Sequence, residues 1–147
     1  MNLLNGKVAI ITGASRGIGK SIAQTFAKNG AGVAITDIAI NENTVALENE
    51  LKSYGVNTKG YKSDAADFKE SEALVNNVMA DFGQIDILVN NAGIAKDGLM
   101  LRLSEQNWDD VIRVNLKSVF TMTKAVQRVL LQQRSGVIIN ISSVVGI

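Results

Sequence analysis

Short apolar runs alternate with amphipathic stretches along the whole chain. Lys7-Val8-Ala9-Ile10-Ile11 reads as a strand buried on both faces. The stretch after it puts Ile18, Ile22, Ala23, Phe26 and Ala27 on one helical face, ended by Gly30. Val33-Ala34-Ile35-Thr36 is a second strand, and Asn41 can cap a helix carrying Val45, Leu47, Leu51 and Tyr54, stopped by Gly55. A weaker third strand is expected near Thr58 to Lys62. Asp67-Phe68-Lys69-Glu70 has capping-box spacing, with Asp in place of Ser or Thr. The helix it opens presents Leu74, Val75, Val78, Met79 and Phe82 and closes at Gly83. Ile85-Asp86-Ile87-Leu88-Val89 is the fourth strand. Ser104 caps a long helix with Trp108, Val111, Ile112, Asn115, Leu116, Val119 and Phe120 at helical spacing, continuing through Val126 and Leu130 to Gln133. Val137-Ile138-Ile139-Asn140-Ile141 is the fifth strand.

Strand and helix in regular alternation predict an α/β fold, a doubly wound parallel sheet in one domain over residues 1–147. There is no proline, no low-complexity linker and no repeat beyond the βα unit itself. A fifth strand so near the last residue, Ile147, lacks the helix that would cover it. An uncovered parallel strand exposes apolar surface and unpaired backbone groups, so the domain is expected to be incomplete on its C-terminal side.

Composition narrows the chemistry. At 147 residues, 46% hydrophobic and 20% charged, the chain can bury a substantial core. A net charge of +1 gives no reason to expect nucleic acid as a partner. No cysteine is present, so disulfides and thiolate chemistry are excluded; no histidine is present either, which removes Ser-His-Asp catalysis and leaves no expected metal site. Met1-Asn2-Leu3-Leu4-Asn5-Gly6 lacks the pattern of a secretory signal, and no apolar run reaches the ~18 residues of a membrane span. A cytoplasmic protein without membrane partners is expected.

The first strand runs directly into Thr12-Gly13-Ala14-Ser15-Arg16-Gly17-Ile18-Gly19 and then a helix. That order suits a dinucleotide's pyrophosphate: glycine lets backbone approach the ligand, and free N–H groups at the helix start face the anion. The spacing is G-x-x-x-G-x-G, not the commoner G-x-G-x-x-G. Asp37, just past the second strand, sits where a carboxylate bonds the ribose hydroxyls of NAD, and it would repel a 2′-phosphate. Arg16 pulls the other way, since a guanidinium can pair with that phosphate. Asp37 turning to solvent or capping the next helix is an equal alternative, and the choice between NAD(H) and NADP(H) stays open. Asn115, on the apolar face with Val111, Ile112, Leu116 and Val119, requires hydrogen-bond partners.

These motifs resemble the short-chain dehydrogenase/reductase family throughout the chain. The glycine motif has the family's spacing, with Gly13, Ser15, Arg16, Gly17, Ile18 and Gly19 in the cofactor loop. Asp64 stands where the family's acidic residue touches the adenine. Asn90-Asn91-Ala92-Gly93 matches its tetrapeptide, which makes Asn90, Ala92 and Gly93 the expected wall beside the nicotinamide ribose; two asparagines tying adjacent strands is the structural alternative. Asn115 in Arg113-Val114-Asn115-Leu116 matches the asparagine of the catalytic set, which implies a water relay and a local helix distortion. Ile141-Ser142-Ser143-Val144-Val145-Gly146 matches the segment of the catalytic serine, with Ser143 selected over Ser142.

Within the family, residues 93–103 followed by Trp108 are most similar to the bacterial 3-oxoacyl-acyl-carrier-protein reductases. That resemblance implies a hydride transferred from NAD(P)H to a 3-oxoacyl thioester in fatty-acid synthesis. It also implies a possible carrier-protein contact at Arg134 or Arg102, and a homo-oligomer, dimer or tetramer, packed through the long helix. The family's proton donor lies in Tyr-x-x-x-Lys. Here the tyrosines are Tyr54 and Tyr61, followed four residues on by Thr58 and Ala65, so that pair is missing. The rival expectations are another short-chain alcohol, sugar or steroid dehydrogenase, and a non-catalytic dinucleotide-binding or interaction domain.

Overall fold

A computed structural model describes residues 2–144; Met1, Val145, Gly146 and Ile147 lie outside the described residues, and with them the end of the serine motif. The strands are β1 (Val8–Thr12), β2 (Gly32–Asp37), β3 (Thr58–Lys62), β4 (Ile87–Asn90) and β5 (Val137–Asn140). The helices are α1 (Gly17–Lys28), α2 (Glu42–Lys52), α3 (Phe68–Phe82), α4 (Glu105–Ile112) and α5 (Ser118–Gln133). All strand pairs are parallel, in the order β3-β2-β1-β4-β5. Among the described residues no helix is long and apolar enough to cross a membrane.

The two-residue period of the strands divides the core. Ile10, Ala34 and Leu88 face one side and meet Leu74, Val75 and Val78 of α3 with Met122 and Val126 of α5. Ala9, Ile11, Val33, Ile35 and Val89 face the other and meet Ala23 and Ala27 of α1 with Leu47 and Leu51 of α2. The central strands are buried on both faces, as their continuous apolar runs require.

Helix ends follow local chemistry. Asn41 accepts from Asn43 N–H (3.0 Å) and Thr44 N–H (3.2 Å), and Thr44 returns its hydroxyl to Asn41 N–H. Asn41, and not Asp37, therefore caps α2. Asp67 accepts from Glu70 N–H at 2.9 Å, but Glu70 reaches back past it to Asp64 N–H at 2.7 Å, so only half a capping box forms. Gly83 ends α3 in the left-handed conformation.

Two expectations require correction. The helix predicted as continuous from Ser104 to Gln133 is interrupted by one π turn, Arg113–Lys117, between α4 and α5. Its predicted inner face is also misplaced. Trp108 (67% exposed), Leu116 and Phe120 face outward with Asn115, while Ser118, Thr121, Met122 and Val126 pack inward. An extra residue in the π turn shifts the phase between α4 and α5, so a single 3.6-residue stripe drawn through both misplaces the inner face. β5 carries Val137, Ile138 and Ile139 on the exposed edge of the sheet, as the missing cover implies.

Leu88 is fully buried between the sheet and the α3–α5 layer. Leu88→Ala is expected to lower unfolding free energy by about 2–5 kcal/mol in urea denaturation; a loss below about 1 kcal/mol would contradict close packing at this point.

Candidate functional site

The topology places a cleft where the chain reverses direction across the sheet. β1 leads to β2 and β3 on one side, and α3 then returns the chain to β4 on the other side of β1. The loops after β1 and β4 therefore diverge at the carboxyl end of the sheet, the place where open α/β sheets bind ligands. A cleft of about 510 Å³ opens there.

Its inner wall is a close seam between two loops. The Thr12 hydroxyl accepts from Asn91 N–H and Ala92 N–H, both at 3.0 Å, and Asn91 Nδ2 donates to Thr12 O (3.0 Å) and Gly13 O (3.1 Å). Gly13 lies so near this seam that a β-carbon on it would stand 2.9 Å from Ala92 Cα, and its φ of 62° also favours glycine. Gly19 is equally confined: a β-carbon there would meet Asn91 Nδ2 at 2.5 Å and Gly13 O at 2.6 Å. Gly17, with φ 57°, has open space in front of it on the cleft.

The start of α1 differs from those of α2, α3 and α4. Asn41, Asp67 and Ser104 cap α2, α3 and α4 with side chains, whereas Arg16 gives α1 no side-chain cap and its first turn holds no acid. The N–H groups at this end thus face the cleft beside Gly17 and Ile18, where an anion is favoured. Ser63 also lines the cleft, and its buried hydroxyl has no hydrogen-bond partner among the described residues. An uncapped helix start, a glycine cradle and an orphaned hydroxyl fit a phosphate-bearing ligand with polar edges.

Of the predicted residues, Gly13, Arg16, Gly17, Ile18, Asp37, Asp64, Ala92 and Gly93 line the cleft. Ser15 does not; its hydroxyl donates to Asp37 Oδ2, whose other oxygen accepts Ile38 N–H at 2.9 Å. Gly19 acts behind the wall, through helix packing. Asn90 also stands away from the cleft, tying β4 to β5 through Asn140 Oδ1 at 2.9 Å, and its neighbour Asn91 takes the wall position. Asn115 is exposed and not on a buried face; it holds both backbone groups of Ile94, accepting the N–H at 2.8 Å and donating to the carbonyl at 2.9 Å. Its π turn is the helix distortion that the resemblance implied. Ser142 and Ser143 follow β5 on the exposed side and do not line the cleft.

Sequence reasoning passed over Thr12, Asn91 and Arg113. The first two stood inside motifs already recognised, as the residues flanking the glycines and the second asparagine. Arg113 donates Nη1 (2.8 Å) and Nη2 (2.6 Å) to Asp64 Oδ2 from 49 residues away, which no local pattern announces. Neither tyrosine reaches the cleft. Burial, and a 2.6 Å hydrogen bond to the Asp81 carboxylate, push the Tyr61 hydroxyl well above the ordinary tyrosine range, opposite to the need of an acid near neutral pH. Lys96 holds the Asp110 carboxyl below its ordinary range through a 2.7 Å contact that fastens the loop after β4 to α4.

Fold and cleft together define an α/β protein of the doubly wound, nucleotide-binding kind. The sequence profile described as short chain dehydrogenase matches residues 7–147, and the chain belongs to that family. The 3-oxoacyl-(acyl-carrier-protein) reductase FabG of Staphylococcus aureus is 47% identical over 140 residues, 95% of this chain and 57% of the relative. The protein of the same name from Salmonella typhimurium is 46% identical over 141 residues, 96% of this chain and 56% of the relative. The structure of NAD+-bound xylitol dehydrogenase superposes with a TM-score of 0.93 at 31% identity, covering 98% of this chain and 55% of that one. The chain thus spans just over half the length of these relatives.

Gly19→Ala is expected to push α1 away from the Asn91 seam and to lower stability by about 1–3 kcal/mol in urea denaturation. An unchanged midpoint would show that the seam yields without cost.

Proposed function

We propose that this chain is the cofactor-binding part of a 3-oxoacyl-acyl-carrier-protein reductase, which reduces the 3-oxo group of a carrier-bound thioester to the 3-hydroxy form. The observation that carries the reading is the uncapped start of α1 opening onto a glycine-lined cleft, in a chain 46–47% identical to the FabG relatives. A bound nicotinamide dinucleotide supplies the hydride. The N–H groups of Gly17 and Ile18 and the Gly13 turn receive its pyrophosphate, Asp64 and Ala65 bound its adenine, and Ala92 and Gly93 bound its nicotinamide ribose. Ser143 orients the substrate carbonyl, and Asn115 supports the proton relay. Arg134 and Arg102, both exposed, contact the acidic carrier protein. The protein is cytoplasmic and homo-oligomeric, packed through the outward face of α4 and α5.

Asp37 favours NAD(H) over NADP(H). Ser15 O–H and Ile38 N–H hold its carboxylate at the cleft, where a 2′-phosphate at about 4 Å would meet about 4 kcal/mol of repulsion at an effective dielectric near 20. The same carboxylate, and the likeness to NAD+-bound xylitol dehydrogenase, favour a second reading as a polyol or other alcohol dehydrogenase.

Calorimetry on this chain is expected to give tighter binding of NAD+ than of NADP+ by about tenfold or more, with Asp37→Asn narrowing the gap. Equal or tighter NADP+ binding would show that Arg16 pairs with the phosphate and overrides Asp37. In the full-length protein, cofactor-dependent reduction of an acetoacetyl thioester is expected. Polyol oxidation without thioester reduction would overturn the reductase reading in favour of the second, and failure to bind either cofactor would overturn both.

A further inference from the structure

The π turn Arg113–Lys117 is fastened to both walls of the cleft by two side chains two positions apart. Arg113 grips Asp64 on the loop between β3 and α3, with both guanidinium contacts on one carboxylate oxygen. Asp64 is itself held, its other oxygen accepting Ala66 N–H at 2.9 Å and its own N–H bound by Glu70. Asn115 clasps Ile94 on the loop after β4 through its reciprocal pair of hydrogen bonds. Residues two apart on a helix point in nearly opposite directions, so one short turn reaches both loops. Asp64, Arg113 and Ile94 line the cleft, whereas Asn115 does not. Among the described residues no hydrogen bond joins the two loops directly, since β3 and β4 lie on opposite sides of β1 and β2.

We propose that Arg113 is a positioning residue that couples the two ends of the cleft. By holding Asp64 it sets where the π turn sits, and thereby where Asn115 holds Ile94. The inference rests on the cleft's being the dinucleotide site: an adenosine against Asp64 and Ala65 then stiffens the wall that receives the nicotinamide end, and the coupling is reciprocal. Side chains of Arg113 and Asp64 that are 49% and 26% exposed form a pair of small consequence for global stability, so variants at Arg113 are expected to fold.

The test uses Arg113→Gln, Arg113→Lys and Asn115→Ala, with amide hydrogen exchange and calorimetry. In the absence of ligand, Arg113→Gln is expected to speed exchange at the Ile94 amide about fivefold, with partial recovery in Arg113→Lys. Asn115→Ala is expected to weaken 5′-AMP binding about fivefold, although Asn115 touches no part of the cleft. Ile94 exchange unchanged in Arg113→Gln, or 5′-AMP affinity unchanged in Asn115→Ala, would overturn the coupling and leave Arg113 a local anchor. If the unaltered chain binds neither 5′-AMP nor NAD+, the cofactor reading fails, and exchange at Ile94 in the unliganded protein still decides the mechanical link.

Discussion

The approach of the Gly13 turn to the loop after β4 is the constraint on which the site depends. Thr12 supplies one hydroxyl to two backbone donors across the gap, and Asn91 returns two bonds to the glycine turn. Any side chain at Gly13 or Gly19 would wedge this seam apart. Because β1 and β4 are hydrogen-bonded neighbours, the seam continues the sheet beyond its last ladder bond. It also leaves the start of α1 facing open space instead of protein.

That open space has an electrostatic character set by what was left out. Three helices close their first turns with side-chain caps, and each carries a glutamate there as well. α1 has neither, which preserves its partial positive charge for a ligand. The fixed charges nearby are balanced differently on the two flanks. Asp64 is taken up by Arg113, while Asp37 is held at the cleft by neutral donors, the Ser15 hydroxyl and the Ile38 N–H. The cleft thus sets a helix start suited to an anion beside one carboxylate, Asp37, and one guanidinium, Arg16.

Much of this was legible in the chain. Continuous apolar runs marked β1, β2, β4 and β5, whereas β3, with Lys59 and Gly60 between its buried positions and Lys62 after them, was only weakly announced. Asn41, Asp67, Ser104 and Gly83 marked helix ends through local hydrogen bonds and one left-handed residue, effects that act within a few positions. Hydrophobic spacing did not reveal the π turn, because its five residues are helical by propensity; only the resemblance at Asn115 implied a distortion there, and contacts with Ile94 and Asp64 distinguish it in the fold. The identity of the wall asparagine escaped for a similar reason: Asn90 and Asn91 are adjacent, and strand register alone turns the first toward Asn140 and leaves the second at the cleft. Arg113 could be found only in three dimensions.

The central claim, that a dinucleotide spans the cleft from the glycine turn to the loop after β4, is tested most directly by following backbone amide resonances as NAD+ is added. The account predicts that the largest shifts fall at Gly13, Gly17, Ile18, Asp64 and Ile94. Shifts gathered instead at the opposite end of the sheet, around Asn5, Gly30 and Tyr54, where a second hollow lies, would contradict it.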